Sequence, residues 1–187
     1  MLRKNLSTPA LALLLSVGTS AHAQETCGEL CSPEFMAYAS EQQVLDAIRG
    51  VDWSLRDDGG NTLFHWMATF EYPDVITTLL ASGADLNARN PLGETPLHWA
   101  AIGGYTVGIE TLLAGGADLN ARDHQGYTPL HSAARFGFPS NVLALLEAGA
   151  DVSAVTSDGR TAYDLAGESL GMRNSGAYQA LSDARFR

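Results

Sequence analysis

His65, His98 and His131 stand 33 residues apart, and with His124 they are the side chains best suited to metal ligation or acid–base work. Three imidazoles on one interval predict a column with one structural unit between neighbours. Packed helices lie about 10 Å apart, whereas a shared metal needs ligand bonds near ~2 Å. The column therefore reads as structural, each ring paired because buried polar groups nearly always are. His124 falls in the turn between units and is expected to be exposed. Asp85, Asp118 and Asp151 keep the same 33-residue interval just after a Gly-Ala pair, which predicts turn-forming side chains instead of paired catalytic carboxylates. Asp57-Asp58 reads as a solvated turn. The chain has no G-x-S-x-G, no H-E-x-x-H and no phosphate-cradling glycine loop. These residues predict no enzyme, no metal and no cofactor.

The two cysteines, Cys27 and Cys31, are explained by the segment before them. Arg3 and Lys4 precede an apolar run from Leu6 to Val17, and Ala21-His22-Ala23 offers small residues for cleavage, the pattern of a secretory signal peptide over 1–23. The run is well short of the ~20 residues that span a bilayer, so no membrane insertion of the mature chain is expected. In an exported chain the close pair predicts a local disulfide. A C-x3-C redox or copper site is the alternative, but copper wants further soft or imidazole ligands and no histidine lies between Ala23 and His65.

The whole chain holds 11 Lys+Arg against 21 Asp+Glu, a net charge of −10. Removing Arg3 and Lys4 leaves nine arginines, no lysine and −12. The arginines read as scattered, which argues against nucleic acid and an anionic membrane surface. A basic protein surface stays compatible with this charge.

The 33-residue interval also governs the elements that must position these side chains. Gly60, Gly93, Gly126 and Gly159 share it, as do Thr62, Thr95, Thr128 and Thr161; Leu79-Leu80, Leu112-Leu113 and Leu145-Leu146 follow in phase. Thr95-Pro96 and Thr128-Pro129 predict a helix N-cap followed by proline at the first helical position. A second helix follows over 75–81, 107–114 and 140–148, ending at Gly83, Gly116 and Gly149 in the left-handed conformation. No such pair buries its apolar face alone, so the units must stack.

Through Gly93-Glu94-Thr95-Pro96-Leu97-His98-Trp99-Ala100-Ala101, its copy at 126–134, and Gly-Ala-Asp-Leu-Asn-Ala at 83–88 and 116–121, the chain resembles the ankyrin repeat family. The expected fold is all-α: an ankyrin-repeat solenoid of helix-turn-helix units with projecting β-turn loops, about three full repeats plus degenerate caps. The expected organisation is a signal peptide at 1–23, an N-terminal segment and capping half-repeat at 24–57 with the Cys27–Cys31 bridge, repeats at 58–90, 91–123 and 124–156, and a C-terminal capping repeat at 157–187. Phe35, Met36, Val44, Leu45 and Ile48 are expected to cap one end, and a last helix carrying Tyr178 and Leu181 the other.

The resemblance implies that the repeated histidine bonds the turn and the capping threonine, and that the concave face grips another protein. Carried over by position, that face comprises Phe70, Leu92, Glu94, Ile102, His124, Tyr127, Arg135, Phe136 and Arg160. Trp66 and Trp99 occupy a phase expected in the core. The resulting expectation is a monomeric, non-catalytic interaction module of the bacterial periplasm. One alternative is an immunity- or inhibitor-like partner of a periplasmic enzyme or toxin; secretion beyond the cell is the alternative location.

Overall fold

The computed structural model describes residues 38–186 apart from Gly104 and Gly137. The expected signal peptide, the expected Cys27–Cys31 bridge and the expected capping residues Phe35 and Met36 lie outside the described residues. Within them, α1 is Glu41–Ala47, α2 Leu63–Met67, α3 Pro73–Ala81, α4 Pro96–Gly103 and α5 Thr106–Ala114. They are followed by α6 Pro129–Phe136, α7 Pro139–Glu147, α8 Ala162–Glu168, α9 Leu170–Arg173 and α10 Gly176–Ala184.

Helices α2, α4, α6 and α8 stack in order as an inner layer, and α1, α3, α5, α7 and α10 as an outer one. This is the all-α repeat solenoid. The described residues hold no strand, only an isolated antiparallel bridge between Arg56 and Thr62 at the base of the first hairpin.

Local chemistry sets the boundaries. Ser40 opens α1 by a reciprocal cap with Gln43, and proline occupies the first position of α3, α4, α6 and α7. The outer helices begin one or two residues earlier than apolar spacing predicts, because Pro73, Thr106 and Pro139 fit a first turn that needs no apolar side chain. Gly50, Gly60, Gly83, Gly93, Gly116, Gly126, Gly149 and Gly159 all have φ between +77° and +94°. At Gly93 a second constraint adds to the left-handed backbone, since a Cβ there would stand 2.7 Å from the His124 ring.

The core runs the length of the stack between the layers. Val75, Ile76 and Leu79 of α3 are fully buried, and Ile109, Leu112, Val142 and Leu145 repeat the arrangement in α5 and α7. Val44 of α1 and Ile48 just after it close one end, with Leu45 half-buried. At the other end, the polar stretch 167–176, longer than the matching inter-helix turns, contains α9, whose Met172 is completely buried. Tyr163 and Tyr178 stack with centroids 4.7 Å apart, and Arg185 lies 4.6 Å over Tyr163. Asn141 of α7 is wholly buried and donates to the carbonyls of Ala100 (3.3 Å) and Ala101 (3.0 Å) in the preceding unit.

Candidate partner-binding face

Three columns of side chains hold each hairpin and inner helix in place. In the first, Nδ1 of His65, His98 and His131 accepts the backbone N–H of Thr62, Thr95 and Thr128 at 3.2 Å. The threonine hydroxyls stand 2.8–2.9 Å from the same nitrogens. Nε2 meets the carbonyl of the next hairpin: Glu94 at 3.1 Å, Tyr127 at 3.0 Å and Arg160 at 3.2 Å. An N–H can only donate and a carbonyl only accept, so each ring is neutral with its proton on Nε2. Burial holds all three pKa values below the usual histidine range. Each hydroxyl faces its imidazole, and at Thr62 and Thr128 it also meets the N–H of the histidine three residues on, at 3.5 Å for Thr128, in line with the expected helix cap.

The second column corrects the reading of scattered arginines. Arg56, Arg89 and Arg122 are themselves 33 residues apart. Arg56 Nη1 donates to Gly60 O at 2.6 Å and to Arg89 O, one unit on, at 2.9 Å. Arg89 repeats this with Gly93 O (2.8 Å) and Arg122 O (2.6 Å), and Arg122 reaches Val155 O. The third column, Asp57, Asn90, Asp123 and Thr156, clasps each hairpin by accepting the N–H four residues on, at 2.8 Å from Asn61, 3.0 Å from Glu94, 2.8 Å from Tyr127 and 3.1 Å from Arg160. Burial pushes the Asp57 pKa up, but bonds from Asn61 and Trp66 outweigh it and hold the carboxyl below its ordinary value. Both columns carry the 33-residue interval, which was the signal available for finding them. Asp85, Asp118 and Asp151 form the expected turns, accepting from Asn87, Asn120 and Ser153 at 2.9–3.1 Å.

Hairpins and inner helices share one face, because bonds join them. Trp66 Nε1 donates to Asp57 at 2.8 Å and Trp99 Nε1 to Glu94 at 2.9 Å. These indoles are therefore only half-buried, their rings edge to face at 5.1 Å, instead of lying wholly in the core; the N–H needs an acceptor that the core lacks. Toward the other end, Arg135 Nη1 donates to the Tyr127 hydroxyl at 3.1 Å and Arg160 Nη2 donates to the same oxygen at 3.3 Å. Arg160 also pairs with Asp158 (2.7 Å) and Glu168 (3.2 Å).

The expected partner-binding residues divide by exposure. Leu92 is 63% exposed and Phe136 58%, and His124 and Arg135 are exposed as well. Phe70, Glu94, Ile102 and Arg160 are half-buried: Phe70 stacks on Tyr72 at 5.9 Å, and Glu94 also accepts from Asn90 at 2.8 Å. Tyr127 departs from expectation. Only 7% of it is exposed, because the ring packs 5.9 Å from His131 and Arg135 lies 5.4 Å above it. Tyr127 is thus a support for that face more than a contact on it. Among the described residues no three His, Cys, Asp or Glu side chains are grouped to hold a metal, and no helix is long and apolar enough to cross a membrane.

No curated protein matches the chain. The family model of ankyrin repeats (three copies) matches residues 7–123 and again 64–156, which together exceed half of the chain. With the columns, the two helical layers and this match in agreement, the chain belongs to the ankyrin repeat family, whose repeats generally mediate protein–protein interaction.

Proposed function

We propose that the mature chain is a non-catalytic interaction module of the periplasm that grips a partner protein on the face shared by α2, α4, α6, α8 and the hairpins. One observation carries the reading. The framework columns repeat from unit to unit, while Leu92 and Arg135 match nothing at their own phases and Phe136, which shares its phase with Phe70, stands where the preceding unit has Gly103; all three are exposed on that face. Large apolar and arginine side chains are the types that dominate interface energies. Export is supported by the basic and apolar pattern over 1–23.

The test is mild crosslinking in cells followed by purification of the full chain, beside a Leu92→Ala/Arg135→Ala/Phe136→Ala variant. Tyr127 is left intact because it supports the fold. One partner that disappears with the variant supports the reading; a partner retained by the variant places binding elsewhere. Mass measurement of the chain from a periplasmic fraction should give an N-terminus at Gln24.

A further inference from the structure

We infer that the Arg135 end of this face receives a carboxylate side chain from a partner segment that is acidic and carries an adjacent apolar residue. The inference rests on the interaction reading above and names the chemistry of the partner.

Arg135 lacks what the rest of the chain could readily supply. Asp and Glu outnumber Lys and Arg by 21 to 11, yet among the described residues no carboxylate oxygen lies within 4.0 Å of its guanidinium. Its one hydrogen bond there is to a neutral phenol. Most other arginines on the stack are engaged: Arg56, Arg89 and Arg122 by carbonyls, Arg160 by two carboxylates.

The group is nevertheless held in place. Its Cζ lies 5.4 Å from the Tyr127 centroid and 5.9 Å from that of Phe136, so much of the rotamer entropy of a free arginine is already lost. Four of its five N–H donors remain for a planar acceptor, the geometry that a carboxylate matches in bidentate fashion.

A second observation points the same way. Two guanidinium groups, from Arg135 and Arg160, converge on the single Tyr127 oxygen. Two incoming N–H groups occupy both lone pairs of a hydroxyl, leaving its own proton to be donated outward. That outward proton and the free donors of Arg135 call for an acceptor from outside the chain. Asp158 and Glu168 offset the two guanidinium charges in sum, but both pair with Arg160, so Arg135 is the cation of this corner with no carboxylate of its own. Phe136, more than half exposed, supplies the apolar contact.

The test is selection of a random twelve-residue peptide library on the immobilised full chain, with Arg135→Ala and the triple variant in parallel. Enriched peptides should carry Asp or Glu next to an apolar or aromatic residue. Arg135→Ala should bind them at least about tenfold more weakly, and Arg135→Lys should recover only part of that because it lacks the planar fork. Replacing the peptide's acid by its amide should weaken binding to the native chain and leave binding to Arg135→Ala unchanged. Peptides without acidic residues that still need Leu92 and Phe136 would overturn the carboxylate assignment and keep the interaction face. Peptides indifferent to the triple variant, or no enrichment at all, would overturn both. Concentration-dependent dimerisation abolished by Arg135→Glu would seat a second copy there and overturn the peptide assignment.

Discussion

Each of the first three units reaches forward to the next, whereas the fourth closes on itself. His65, His98 and His131 use one ring nitrogen at home and the other on the following hairpin. Asp164 holds the same phase in the fourth unit, and among the described residues its carboxylate takes only the Thr161 N–H at 2.9 Å and the Thr161 hydroxyl at 2.6 Å. Those bonds hold its pKa below the ordinary aspartate value. The arginine column ends alike: Arg122 reaches the carbonyl of Val155, and Val155 has no polar side chain to pass the link on. Both changes fall at the last hairpin, after which no further hairpin follows among the described residues. Asp164 is exposed and bonds within its own unit, and Val155 carries no polar group, so neither side chain calls for a partner one unit on.

Acid should break the comparison most broadly, since three links respond together. Burial holds the histidines below 6.5, so as pH falls through that value the unfolded chain takes up protons first. Stability should decline from pH 7 toward pH 5, read by urea unfolding, and a flat profile would show that the rings are not held neutral. The depressed carboxylates act in a separate window: their stabilisation is present above the ordinary aspartate value and is lost as pH falls below it.

Removing one link comes next. His98→Ala should cost about 3 kcal/mol, from a cavity and from unpaired groups in two successive units. Asp164→Ala should cost about 1 kcal/mol, the scale of a lost cap. Equal losses would mean that the forward bond adds nothing.

Two glycines sharpen the comparison at almost the same backbone angle. At Gly93 (φ +82°) a Cβ would meet His124 at 2.7 Å, while at Gly159 (φ +81°) a Cβ would meet nothing within 4 Å. Gly159→Ala should therefore cost only the left-handed backbone, about 1–2 kcal/mol, and Gly93→Ala about 1–3 kcal/mol more for the clash. Smallest of all, Asp164→His should change stability by less than about 0.5 kcal/mol, because the imidazole would have no carbonyl ahead of it. A clear gain on thermal melting would refute that account of the end.

The period itself was enough to place the inner and outer helices, the eight left-handed glycines and the histidine column, since each depends on neighbours at a fixed offset. The arginine ladder and the hairpin clasps were equally periodic. They escaped because Arg56, Arg89 and Arg122 resemble surface charge until the carbonyl one unit away is seen. Non-repeating positions were decided by tertiary structure alone. Tyr127 is covered because Arg135 and His131 close around its ring, and Trp66 and Trp99 are drawn outward by carboxylates that supply the acceptors for their N–H groups. Asn141 is buried in α7 because two carbonyls of the preceding inner helix stand within its reach. A repeat interval dictates where a backbone goes; how far a long side chain is exposed depends on the particular neighbours that meet it, and those change from unit to unit.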